Sequence, residues 1–373
     1  MAQLALRILA RLAIVVMQSY AVPERNPEMA DVAVQHPDLT EPVIVQPVEG
    51  SDRPARVYLA PTLDGLYTPY ALRTPADEGS FPFVFLAYGN GGGGIPWLQR
   101  RLRTHGYIME RLLQAGYACA WARYRTEVEL GYHNGGPLVV DHRQGMELMN
   151  RGPLEFEDEL AILRHVAAHP QIDAERVGHV GVSHAGEMLF KLASQYPGAV
   201  RAGVACEPAN HEFLSLTIDE SAFVDPSTGL RNIEEMQMRD PERVRARIDE
   251  RLALERIAPI DLPILVMGRD DDHLQGIFRV SYDLLAAAGK QATWVSWDHP
   301  LHGYIFPEAS PDGTPQVDDV QERAIDGIIE FLDSHLGVFN TWPICLLHHD
   351  SMRILGDVHH NWVAKEITNF FNW

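Results

Sequence analysis

The chain has 373 residues, 46% of them hydrophobic and 22% charged, which is enough apolar material for a sizeable core in one large domain or two small ones. Its formal net charge of −20 argues against nucleic acid or an anionic membrane as partner. No run of 18 apolar residues occurs, so no membrane span is expected. Residues 1–21 carry Arg7, Arg11, a short apolar run from Leu12 to Met17 and the ending Ser19-Tyr20-Ala21. They read as a secretory signal cleaved after Ala21, as an amphipathic N-terminal helix, or as the result of a wrongly chosen start codon. The first reading makes the protein secreted or periplasmic, the others cytoplasmic. Residues 22–55, rich in proline and acids, form an extended lead-in.

The runs Arg56–Leu59 and Tyr70–Arg73, on either side of Asp64-Gly65, predict an antiparallel hairpin at a sheet edge. Pro82–Ala87 reads as a buried central strand that discharges into the glycine-rich run Tyr88-Gly89-Asn90-Gly91-Gly92-Gly93-Gly94. A helix around Ile108, Leu112 and Leu113 closes at Ala115-Gly116, and a strand from Tyr117 to Tyr124 follows. The next loop holds His133, His142 and Arg143. A helix then opens with Glu157, Asp158 and Glu159, acids that suit the positive end of its dipole. After it, Arg176–Val182 is a β-branched run ending at Ser183, with a helical pattern at once beyond. This alternation of strand and helix marks a parallel sheet with crossovers.

Three further strand-like runs end in polar residues. Ala202–Cys206 leads into Glu207-Pro208, an acid that either faces a pocket or is structural. Residues 209–258 interrupt the alternation and contain a charged helix from about Pro241 to Arg256. Pro263–Gly268 ends in Arg269-Asp270-Asp271-Asp272, and Trp294–Trp297 ends in Asp298-His299-Pro300-Leu301-His302-Gly303. A last helix, Val317–Leu336, has Val320, Ala324, Ile328, Phe331 and Leu332 at helical spacing. The tail 337–373 changes character, with Trp342, Trp362 and Trp373 and the pairs His348-His349 and His359-His360. Adjacent histidines rarely face one point, so no metal site is expected there. Cys119, Cys206 and Cys345 are too few and odd in number for a disulfide framework.

Gly181-Val182-Ser183-His184-Ala185 sets a serine between small residues at a sharp strand-to-helix turn, where its hydroxyl stands clear of the sheet edge. Serine needs a base to take its proton, and the base needs an orienting acid. The order Ser, Asp, His, each just past a strand, supplies both. Acyl transfer also needs donors for the developing oxyanion. One is the N–H of His184, the residue after the serine; the other comes from the glycine run, where Asn90 and Gly91 offer N–H groups without obstruction.

With these four features in order, residues 56–336 resemble the α/β-hydrolase superfamily. They are most similar to the catalytic domain of the prolyl oligopeptidase group and its stand-alone esterase-like relatives. The resemblance implies an α/β-hydrolase fold: a mostly parallel central sheet, helices on both faces and a cap or lid, here 209–258, that sets specificity. The group's Tyr-Gly-Gly motif implies that the Tyr88 hydroxyl is an oxyanion donor, although Asn90 replaces the second glycine. Its Gly-x-x-Asp motif points to Asp271 as the acid, with Asp272 as fallback, and its His-Gly motif to His302 as the base, ahead of His299. The expected activity is serine hydrolysis of a small or medium carboxylic ester through an acyl-enzyme, with no cofactor or metal. About 55 residues precede the domain, too few for the gating propeller of oligopeptidases. A peptidase or aminopeptidase acting on short peptides is the alternative, and Glu207 the one acid placed to hold a substrate amine. A non-catalytic binding protein on the same fold is the third. Oligomeric state is left open.

Overall fold

A computed structural model describes residues 39–63, 65–89, 94–122, 154–217 and 238–337. Residues 1–21, Asn90, Gly91, His133, His142, Arg143 and the tail from 338 onward lie outside the described residues, as do 218–237 of the expected cap. Within Pro42–Trp373, the strands β1 (Ile44–Gln46), β2 (Ala55–Pro61), β3 (Tyr67–Arg73), β4 (Phe81–Ala87), β5 (Ala118–Ala122), β6 (Ile172–Val182), β7 (Ala202–Cys206), β8 (Ile264–Arg269) and β9 (Ala292–Trp297) form one sheet. Its order is β1-β2-β3-β5-β4-β6-β7-β8-β9. From β5 to β9 neighbours run parallel, and β1, β2, β3 and β5 pair antiparallel. The expected hairpin is β2–β3, with Tyr58 opposite Tyr70, and β1 lies outside it.

Side-chain alternation along the strands divides the core into two layers. On one face, Phe83 and Phe85 of β4 and Ala205 of β7 pack with helices α3 (Leu154–Ala167), α4 (His184–Gln195) and α7 (Gln275–Ala287). On the other, Val84 and Leu86 of β4 and Val180 and Val182 of β6 meet α1 (Gly94–Thr104), α2 (Tyr107–Gln114) and α8 (Asp319–Leu336). Parallel strands covered on both faces read as nearly continuous apolar runs, which is why β4 and β7 were legible as buried.

The charged stretch expected as one helix forms two, α5 (Pro241–Arg245) and α6 (Glu250–Ile257). Each has its own cap: Asp240 accepts from the N–H of Glu242, and Asp249 from that of Leu252. A second N-cap inside an amphipathic pattern restarts the helix. The described flanks of 209–258 contribute Phe213, Leu214, Leu216, Met238, Val244 and Ile257 to the first core layer. α8 carries a full capping box between Asp318 and Gln321 and ends on Gly337 in the left-handed region, φ 68°.

The connections from β4 lead to β5 on one side, while β6 lies on the other. Strand order therefore reverses beside β4, and a crevice opens at the carboxyl ends of the parallel strands. Tyr88, Ser183, Glu207, Asp272 and His302 all lie just past such ends.

Candidate active site

Ser183 has φ 59° and ψ −121°, a conformation that costs a non-glycine residue roughly 1–3 kcal/mol. Three backbone hydrogen bonds hold it there: its N–H donates to Cys206 O (2.9 Å), and its carbonyl accepts from Glu187 N (3.2 Å) and Ala209 N (3.1 Å). The turn is too tight for side chains around it. A Cβ on Gly181 would lie 2.4 Å from Ala185 O, one on Gly186 would lie 2.9 Å from Pro208 Cα, and one on Gly89 would lie 2.9 Å from Ser183 Cβ. Ala185 is accommodated, and the position with no room for a Cβ is the next residue, Gly186. Alanine in place of the motif's last glycine thus leaves the elbow intact.

The His302 side chain is 38% exposed, and its Nδ1 lies 3.2 Å from Glu207 Oε1 and 4.0 Å from Asp272 Oδ2. Among the described residues these are the carboxylates within ion-pair distance of His302. The expected acid, Asp271, is instead exposed. Its backbone is left-handed (φ 60°), so the turn carries Asp271 outward and brings Asp272 in, 1% exposed. Asp271 is replaced in that position by Asp272 and, closer still, by Glu207. Asp270 is taken up by Ser296. His299, the rival base, is buried, with Nε2 3.0 Å from Asp318 Oδ2 at the start of α8.

Glu207 is fully buried in a left-handed conformation, φ 49°. Its Oε1 accepts from Arg269 Nε (2.8 Å) and faces His302, and its Oε2 accepts from the Gly303 N–H at 2.6 Å. Asp272 Oδ1 accepts from Leu274 N at 2.7 Å, and Oδ2 pairs with Arg269 Nη2. Burial alone would raise the Asp272 carboxyl. Hydrogen bonds from His273 and the Leu274 N–H and the charge of Arg269 hold it down to about 2. Burial alone would lower the His302 imidazole; the hydrogen bond and charge of Glu207, with Asp272, outweigh it and hold His302 above its ordinary value, Arg269 acting in the opposite sense. The Glu207, Asp272 and His302 ligand atoms lie within 4.8 Å of one another, and the cation that fills this cluster is the Arg269 guanidinium.

Tyr88, after β4, packs against Phe306, and the guanidinium of Arg101 lies 4.1 Å from its ring centre. A Cβ on Gly303 would lie 3.1 Å from the Tyr88 hydroxyl, which puts the tyrosine against the His302–Gly303 turn. Burial pushes the Tyr88 hydroxyl above its ordinary range. His184 opens α4, where an N–H has no acceptor in its own helix. Its buried ring is pinned between Glu155 Oε2, 2.9 Å from Nε2, and Glu187 Oε2, 3.5 Å from Nδ1. Glu187 Oε1 in turn accepts from the N–H groups of Glu212 and Phe213, both at 2.8 Å. This ties the elbow to α3 and to the segment after β7. Sequence reading missed Arg269, Glu155 and Glu187. An acid followed by proline at a strand's carboxyl end was the available signal for Glu207.

No protein-family model and no curated protein matches the sequence. Solved structures do. A mutant of the esterase rPPE is 18% identical with a TM-score of 0.51, the match covering 77% of this chain and 84% of that one. The carboxylesterase EstE1 from a metagenomic library is 18% identical, TM-score 0.50, over 79% and 91%. The acylaminoacyl peptidase of Pyrococcus horikoshii is 18% identical, TM-score 0.50, over 76% of this chain and 42% of that one, so this chain spans less than half of the peptidase's length. Sheet order, the strained serine between β6 and α4, and the polar residues gathered at the carboxyl ends agree with these likenesses: the chain has the α/β-hydrolase fold.

Proposed function

We propose that the protein is a serine hydrolase that cleaves carboxylic esters of small or medium size through an acyl-enzyme. The observation that carries this reading is the strained Ser183 at the same sheet edge as a His302 whose Nδ1 faces Glu207. With Nδ1–H donating to Glu207, Nε2 is the accepting nitrogen. His302 removes the proton of Ser183 Oγ as the oxygen attacks the ester carbonyl. The N–H of His184 and the Tyr88 hydroxyl, or in the hydroxyl's place the N–H of Asn90 or Gly91, receive the oxyanion, each donor worth about 10²–10³ in rate. The alkoxide leaves with the proton from His302, and the same imidazole then activates the water that frees Ser183.

Esters are favoured over peptides because Glu207 is buried with both oxygens engaged and so cannot grip a substrate amine. The test sets wild type beside Ser183→Ala on p-nitrophenyl acetate, p-nitrophenyl octanoate and an aminoacyl p-nitroanilide, with fluorophosphonate labelling in parallel. Ester turnover and labelling that both vanish in the variant are expected. Anilide turnover above ester turnover would make the protein a peptidase. A wild type that neither turns over nor labels would make it a binding scaffold.

A further inference from the structure

Arg269 is the last residue of β8, and its side chain is 15% exposed. Its fork spans carboxylates that follow two different strands. Nε donates to Glu207 Oε1, Nη2 to Asp272 Oδ2, and Nη1 to His299 O at 3.3 Å. The two carboxylate oxygens it takes are the same two that lie nearest His302 Nδ1. One guanidinium and one imidazole therefore share a single pair of oxygens. Without the cation, two buried acids would face each other and the base with nothing between them. Like charges at that range disfavour joint ionisation, and an imidazole beside them would bind its proton more tightly.

We propose that Arg269 is a positioning residue for the base: it clamps Glu207 and Asp272 at fixed distances from His302 and cancels one of their two charges. His302 then works against one net negative charge in place of two. Other titratable groups border the cluster. Tyr88, from the end of β4, lies against Gly303; His273 Nδ1 is 3.3 Å from Asp272 Oδ1; Asp270 bonds Ser296; and Asp271 is exposed. Lysine could supply the charge here as a compact point on a flexible stem, whereas the rigid planar fork holds both acids at fixed distances.

The kinetic readout rests on the hydrolase reading above; a second readout does not. The midpoint of His302 is measured from its imidazole proton signal in NMR, assigned by its absence in His302→Gln, and from the acid limb of kcat/KM on p-nitrophenyl acetate. Arg269→Gln is expected to raise the midpoint by about one pH unit. Arg269→Lys should return it toward wild type. The double variant Arg269→Gln/Asp272→Asn removes one charge of each sign and should bring it back as well. Should Arg269→Gln not fold, Asp272→Asn alone must lower the midpoint. Activity that falls with an unmoved midpoint in these variants would reduce Arg269 to a structural brace and overturn the proposal. Midpoints that move as stated in a protein that hydrolyses no ester would sustain it while the hydrolase reading fails.

Discussion

Glu207 and Asp271 make opposite predictions at the scale of single residues. Glu207 holds His302 Nδ1 at 3.2 Å and the following Gly303 N–H at 2.6 Å, so it fixes both the ring and the turn that bears it. Glu207→Gln keeps the shape but offers the ring an amide in place of a carboxylate. Loss of the orienting acid's charge in a serine triad costs on the order of 10⁴ in kcat. Because Asp272 stays 4.0 Å away, the expected loss is smaller, about 10²–10³. Asp271→Asn should leave kcat within about twofold, since a surface change away from the site perturbs little. Steady-state kinetics on one ester decides between them. An Asp271 variant as damaged as the Glu207 variant would return the acid's role to Asp271.

At the scale of elements, α8 is fastened at its start as well as along its length. Asp318 accepts from the N–H groups of Val320 and Gln321 and from His299 Nε2. The cap therefore also anchors the turn that leads into His302. Asp318→Ala should cost about 0.5–2 kcal/mol of unfolding free energy as a lost cap. It should also lower kcat through a looser His299–His302 turn, whereas Asp319→Ala, one residue on, should do neither. Urea melts and kinetics on the same preparations check both halves. The elements themselves were legible because each follows a local rule: buried parallel strands are apolar throughout, and α8 repeats its apolar face every three to four residues. The carboxylate beside His302 was harder to read. Asp270, Asp271 and Asp272 are chemically alike, and a single left-handed residue decides which turns inward. Glu207 was visible only as a lone acid, because its partners come from residues 62 and 95 positions further along the chain.

For the whole molecule, stability is lost toward acid wherever a carboxylate paired in the folded state has to take up a proton. Asp272 is one identifiable source. Its carboxyl is held down to about 2, below the ordinary value near 3.9. The stabilisation it gives is thus present above that ordinary value and disappears as the pH falls toward its folded one. Wild type and Asp272→Asn should differ in chemical stability at pH 6 and converge near pH 2, a comparison that urea titrations at several pH values can make. A gap that persists unchanged into acid would mean that the asparagine harms packing and not charge. Cys119 and Cys206 add no redox lability to this picture. Both are buried, and burial pushes the Cys119 thiol up to about 12.

The elbow is held from outside its own strand and helix: Cys206 O receives the Ser183 N–H, and Ala209 N reaches the Ser183 carbonyl. Glu207 lies between those two residues. The segment that braces Ser183 is therefore the one that carries Glu207, so a change to one reaches the other. A chimaera that imports another protein's insertion has to join downstream of Ala209. A graft begun at Cys206 would replace Glu207 and the brace on the Ser183 N–H in the same cut.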